Sequence, residues 1–187
     1  MKWFPLRKSS HEQLAVSMAG IKLGDRLLVV GCSDPILIAQ LAVKTGLTGR
    51  AFAVDEEGQA VTAAAEIATR EGALIETATA AWGTLPLDAD SFDVAVVRDV
   101  LPHLTGDVRK TCLGELWRVL RPGGRCLAID GKGRSRMSTV VRNAPTASDY
   151  SHSGLVEVMV AQGFKAARIL ADREGLLFAE AVKPMLT

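Results

Sequence analysis

Two segments hold the residues best spaced for chemistry: Asp25–Pro35, DRLLVVGCSDP, and Ala51–Glu57, AFAVDEE. The first reads as a buried strand, a tight turn at Gly31 and a helix start. The second reads as a strand ending in acid, at Asp55 and Glu56. Side by side, such units build a nucleotide-type pocket at the edge of a parallel sheet. Gly31 has no side chain, so the backbone can turn closely there. Asp34 can accept from the first free amides of the helix, and Pro35 suits its first position. Cys32 stands at the same helix N-terminus, where a thiol pKa falls. No histidine is placed to activate it, so a cysteine nucleophile is rejected.

The elements that must position these residues alternate along the chain. Ser10–Gly20 reads as a leading helix, Arg26–Val30 as a strand, and a helix runs from Pro35 to near Gly46. The pattern repeats with a strand over Arg50–Val54, an alanine-rich helix over Glu56–Arg70, and short strands over Leu74–Thr77 and Phe92–Val97. Asp107–Leu120 is amphipathic, with Leu113, Leu116, Trp117 and Leu120 on one helical face. Arg121-Pro122-Gly123-Gly124 ends that helix, and Arg125–Ile129 is a further strand. The polar stretch Gly131–Ser153 reads as a long loop carrying Lys132, Arg134, Arg136 and Arg142. Leu155–Gln162 is a helix, and Phe164–Leu170 and Leu176–Val182 are closing strands joined at Asp172–Gly175. Strands alternating with helices imply a parallel sheet with right-handed crossovers. We divide the chain into an N-terminal segment, 1–22, with its short helix, and a single domain, 23–187.

Composition narrows the function class. The 187 residues are 48% hydrophobic and 23% charged, as in a globular domain with a substantial core. A net charge of +1 gives no global attraction to nucleic acid. The three cysteines, Cys32, Cys112 and Cys126, form no CxxC pair, so no metal site is expected and reduced thiols in a cytoplasmic protein are the plain reading. No apolar run is long enough to span a bilayer, and MKWFPLRK lacks a secretory h-region. Trp3 and Phe4, beside Lys2, Arg7 and Lys8, could touch a membrane surface or a partner, or form a tail packed on the domain. An oligomer is compatible with the sequence.

Four motifs in register resemble a class I S-adenosylmethionine (SAM) methyltransferase. LLVVGCSDP resembles its glycine-rich first motif and AFAVDEE its second strand with a terminal acid. LPLDADSFDVAVVRDVLPHL (Leu85–Leu104) resembles the turn, the fourth strand and the segment after it. ELWRVLRPGGRCLAID (Glu115–Asp130) resembles the helix, turn and fifth strand. The tail GFKAARILADREGLLFAEAVKP resembles the ending of quinone-biosynthesis-like members. The resemblance implies a Rossmann-like three-layer α/β sandwich, with a seven-stranded, mostly parallel sheet and an antiparallel C-terminal strand. It implies SAM as cosubstrate, a small-molecule acceptor, and a cofactor site at Gly31, Cys32, Ser33, Asp34, Asp55, Glu56, Ala81, Trp82 and Arg98. Asp55 would accept from the ribose diol, or be a solvated turn acid. Trp82 would stack on adenine, or belong to the core or a lid. Arg98 and Asp99 would edge the pocket, or pair with each other. His103, just after the fourth strand, is the base candidate for an acceptor that must lose a proton, or a structural or helix-capping residue. Tyr150 and His152, in the long loop, could cover the acceptor.

The chain also departs from the family pattern. Val29 stands where an acid commonly holds the methionine amino group. Ser33 and Pro35 replace the later glycines of GxGxG. Ala80-Ala81-Trp82-Gly83 lacks the acid that reads the adenine amino group. Asp34 can substitute for the missing acid or can cap its helix. Each lost hydrogen bond to a charged ligand group would cost roughly 1.5–3 kcal/mol. A second reading follows, a catalytically degenerate methyltransferase fold acting as a binding or scaffold subunit. An NAD-dependent enzyme is disfavoured, because the first motif lacks GxGxxG.

Overall fold

The computed structural model describes residues 10–131 and 152–185. Their elements alternate as the hydrophobic pattern requires. Helix α1 (Ser10–Ala19) leads into β1 (Arg26–Val30), α2 (Pro35–Thr45), β2 (Arg50–Asp55), α3 (Gly58–Arg70), β3 (Glu76–Thr79) and β4 (Phe92–Arg98). A short 3₁₀ turn (Leu101–His103) precedes α4 (Gly106–Val119), β5 (Leu120–Gly131), α5 (His152–Ala161), β6 (Lys165–Arg173) and β7 (Leu176–Val182). The strands form one seven-stranded sheet of order β3-β2-β1-β4-β5-β7-β6. β1 through β5 run parallel, and β7 is antiparallel to both of its neighbours. This is the mostly parallel sheet with an antiparallel C-terminal strand implied by the resemblance.

Both faces of the sheet are covered, which is why the central strands are continuously apolar. Leu28 and Val30 of β1 join Cys112, Leu113 and Leu116 of α4 and Leu155 and Met159 of α5 in one core. Leu27 and Val29 face the other way, into a core with Leu37 and Leu41 of α2, Val61 and Ala64 of α3, and Ala15 and Ala19 of α1. The period-2 alternation of a strand thus divides one apolar run between two layers. The Arg125 guanidinium donates to the Met18 and Ala19 carbonyls, tying the C-terminus of α1 to the middle of β5.

Some boundaries differ from the sequence expectation. β3 lies two residues further along than Leu74–Thr77, because its pairing is set by β2, Phe52 opposite Glu76 through Asp55 opposite Thr79. Leu74 is left exposed. The Pro-Gly-Gly run is not a separate turn but the irregular start of β5, where Leu120 pairs with Phe92 and pairing resumes at Arg125 with Val94. Lys183 holds that irregularity, exchanging backbone hydrogen bonds with Gly123 and Gly124 and donating from Nζ to the Leu120 carbonyl at 2.7 Å. The β6–β7 hairpin is tighter than expected. Only Glu174 and Gly175, at φ +54° and +72°, form the turn, the signature of a two-residue type I′ connection.

Candidate functional site at the ends of β1, β2 and β4

The strand order reverses between β1 and β4, and the residues with chemical potential gather at the carboxyl ends of those strands. Gly31 follows β1 with φ +96°, and its N–H donates to the Val54 carbonyl at 2.9 Å. A Cβ there would strike the Arg98 carbonyl oxygen and lie 2.7 Å from Val100 Cγ2. Glycine is therefore required here by the close approach of β4 and Val100 within the chain.

Asp55 ends β2 and is fully buried. Its Oδ2 accepts from the Cys32 N–H at 2.7 Å and its Oδ1 from the Glu57 N–H at 2.9 Å. The carboxylate thus fastens the glycine loop of β1 to the turn after β2. Glu56, next along, is exposed, and its Oε1 accepts from the Trp82 N–H at 3.1 Å. The Trp82 side chain is buried in the same core as Cys112, Leu113 and Leu116, while Ala81 and Ser33 are exposed.

Asp34 caps α2, its Oδ1 accepting from the Leu37 N–H at 3.1 Å, with Pro35 at the first helical position. Its Oδ2 lies 3.8 Å from Arg98 Nε. Arg98 Nη1 lies 3.1 Å from Asp99 Oδ2 and donates to the Ile129 carbonyl at 3.3 Å. Asp99, at φ +51°, accepts from the Gly131 N–H and donates its own N–H to Ile129. Arg98 therefore pairs with Asp99, and with the helix cap as well. Val29 is buried in the apolar core.

His103 is exposed at the end of the 3₁₀ turn after β4. The turn is held by Arg109 of α4, a buried residue whose Nε donates to the Leu101 carbonyl at 2.9 Å and Nη2 to the Leu104 carbonyl at 2.8 Å. A second pair on α4 holds the Leu85–Leu87 segment. Glu115 accepts from the Leu85 N–H at 2.8 Å, and Arg118 donates to the Leu87 carbonyl at 2.8 Å and the Leu85 carbonyl at 3.1 Å. The Arg118 hydrogen bond holds the Glu115 carboxyl below its ordinary pKa, aided by the Leu85 amide and against the cost of burial. Sequence reasoning missed Arg109, Glu115 and Arg118 as positioning residues. The signal in the chain was that Glu115 and Arg118 stand three residues apart in ELWRVLRPGGRCLAID.

Tyr150, the basic segment from Lys132 to Arg142, Trp3 and Phe4 lie outside the described residues, as does the side chain of His152. None of the three cysteines is in a disulfide. Burial pushes the Cys112 and Cys126 thiols up to about 12. An open groove of about 370 Å³ between α1 and α2, lined by Gln13, Ser17, Ile21, Gln40 and Lys44, shares no residue with the switch point. Among the described residues no helix is long and apolar enough to cross a membrane.

Comparison with known proteins agrees with this geometry. A family model described as a methyltransferase domain matches residues 28–128. A protein of Saccharolobus solfataricus named "Probable cobalt-precorrin-6B C(15)-methyltransferase (decarboxylating)" is 24% identical over 164 residues, covering 86% of this chain and 79% of that protein. The chloroplastic 2-phytyl-1,4-beta-naphthoquinone methyltransferase of Arabidopsis thaliana is 29% identical over 126 residues, covering 64% of this chain and 46% of its own length. Among solved structures, a SAM-dependent methyltransferase from Aquifex aeolicus superimposes with a TM-score of 0.75 at 21% identity, covering 91% of this chain and 88% of that one. With the matched model spanning more than half of the sequence, and the sheet order and switch-point loop in place, the chain belongs to the class I SAM-dependent methyltransferase family.

Proposed function

We propose that this protein transfers the methyl group of SAM to a quinone-like small molecule at the carboxyl ends of β1, β2 and β4. One observation carries the reading: the Gly31 loop, the α2 N-terminus, Glu56 and Arg98 converge where the strand order reverses. The residues present fit the cosubstrate. Arg98 Nε is a buried donor with no hydrogen-bond partner among the described residues, and Asp34 offers a carboxylate beside it. Glu56 is the exposed acid at the rim for a ribose diol, with Asp55 behind it fastening the loop. SAM supplies an electrophilic methyl on a sulfonium, transferred in line to the acceptor's nucleophilic atom.

The chain's task is then positioning. The Gly31 loop and α2 hold one partner while the 3₁₀ turn carrying His103 borders the other, which lowers the entropic part of the barrier. His103 accepts the proton released when a hydroxyl or activated ring carbon of the acceptor is methylated. Two features support the acceptor class: the resemblance of the tail to quinone-biosynthesis-like members, and the naphthoquinone named for the Arabidopsis relative. The reading is tested by incubating the full chain with methyl-labelled SAM and a panel of reduced quinones and measuring S-adenosylhomocysteine formed. Label transfer to a quinol is expected. SAM binding without transfer to any quinol removes the acceptor class, and no heat or thermal shift with millimolar SAM removes the enzyme.

A further inference from the structure

The boundary between β1 and β4 is crossed by a row of alternating charges. Asp34 Oδ2 stands 3.8 Å from Arg98 Nε, and Arg98 Nη1 stands 3.1 Å from Asp99 Oδ2. The Arg98 side chain is only 9% exposed, yet its Nε finds no hydrogen-bond acceptor among the described residues. A guanidinium N–H out of water with nothing to donate to carries a free-energy cost that an incoming oxygen would relieve. The neighbouring acids do not meet the need. Asp34 spends Oδ1 on the Leu37 N–H and keeps Oδ2 at a distance, and Asp99 spends Oδ1 on the Gly131 N–H.

Charges in the order minus, plus, minus are complementary to a ligand that carries a carboxylate and an ammonium on one carbon. The carboxylate suits Arg98 Nε, and the N-terminal dipole of α2 adds to its attraction. The ammonium suits Asp34 or Asp99. The buried, uncharged Val29 side chain offers nothing to either end of such a ligand.

We infer that Arg98 is the specificity residue for the amino-acid end of the cosubstrate, anchoring SAM by its carboxylate where the end of β1 carries no acid to hold the ammonium. This rests on the methyltransferase reading above. It makes the carboxylate the anchor, with the ammonium contact secondary.

The test is titration calorimetry on the full chain with two ligands that share a nucleoside. S-adenosylhomocysteine carries the amino-acid end, and 5′-methylthioadenosine lacks it. The wild type is expected to bind S-adenosylhomocysteine more tightly. Arg98→Met is expected to weaken S-adenosylhomocysteine by about tenfold or more while leaving methylthioadenosine within about twofold. Arg98→Lys should fall between them, since it keeps the charge but not the planar fork. Unchanged methylthioadenosine binding also reports that the variant is folded. The inference is overturned if Arg98→Met weakens both ligands by the same factor, as for a purely structural tie. It is equally overturned if the variant binds either ligand more tightly, as for a plug, or changes neither. A wild type that binds methylthioadenosine but gains nothing from the amino-acid end refutes the role of Arg98 alone. A wild type that binds neither ligand refutes the cosubstrate reading, and the inference with it.

Discussion

Asp55 Oδ2 and the Cys32 amide nitrogen lie 2.7 Å apart across the boundary of β1 and β2, and this contact holds the shape of the site from behind. A carboxylate sealed from water and bonded to two backbone N–H groups is a structural fastener as well as a charge. Asp55→Asn puts an NH₂ against one of those donors. The expected loss is about 1–3 kcal/mol of unfolding free energy, together with weakened S-adenosylhomocysteine binding. Urea melts and calorimetry on the same variant check both. A variant as stable as the wild type would show that the buried bonds are not formed in solution.

Gly31→Ala meets two obstacles at once, a backbone at φ +96° and the Arg98 carbonyl oxygen in the path of the new methyl. We expect at least about 3 kcal/mol of destabilisation. Thermal denaturation measures it. Gly72→Ala serves as the comparison, because it shares the positive φ but has nothing within 4 Å of a new Cβ and should lose less.

Glu115 links pH to the stability of the Leu85–Leu87 segment. Its folded pKa is depressed, chiefly by the Arg118 hydrogen bond. Its stabilising contribution is therefore fully present above the unfolded glutamate value of about 4.3 and is lost as pH falls through the lower folded value. The stability gap between wild type and Glu115→Gln should be constant near neutrality and should close on acidification below that range. Urea melts across pH read the gap, and one that widens in acid would contradict the pairing.

His103 is exposed, and no side-chain hydrogen bond or ion pair ties it to the fold among the described residues. His103→Ala should leave melting temperature and S-adenosylhomocysteine affinity unchanged while lowering turnover by about a hundredfold or more. Equal turnover would assign proton removal to water or to another group. Arg109→Met provides the contrast. It frees the Leu101 and Leu104 carbonyls, so it should lower both stability and turnover.

The cysteines give a chemical check on the packing. With Cys112 and Cys126 pushed up to about 12 and all three thiols buried, Ellman's reagent at pH 8 should react slowly with the native protein and rapidly after denaturation. Fast reaction of any thiol in the native state would mean that the core around it opens.

The fold was legible from local pattern, because a strand covered on both faces must be continuously apolar and a helix covered on one must be periodic. Leu27–Val30 of β1 and Leu113 with Leu116 of α4 show this directly, and Asp34 and Pro35 mark the helix cap without reference to anything distant. Boundaries set by partners were not legible: β3 takes its register from β2, and the Pro-Gly-Gly run joins β5 through Lys183. The site divides in the same way. Residue types and their order along the chain located the strand ends where a ligand can lie. Only the tertiary structure decided that Asp55 faces two amides, that Arg98 stands between Asp34 and Asp99, and that Arg109, Glu115 and Arg118 hold loops from α4. The reason is physical. A side chain's partner is whatever the packed neighbours bring within hydrogen-bonding or ion-pairing reach, and the deciding ones here, Cys32 for Asp55, Asp34 for Arg98 and Leu85 for Glu115, lie tens of residues away in sequence.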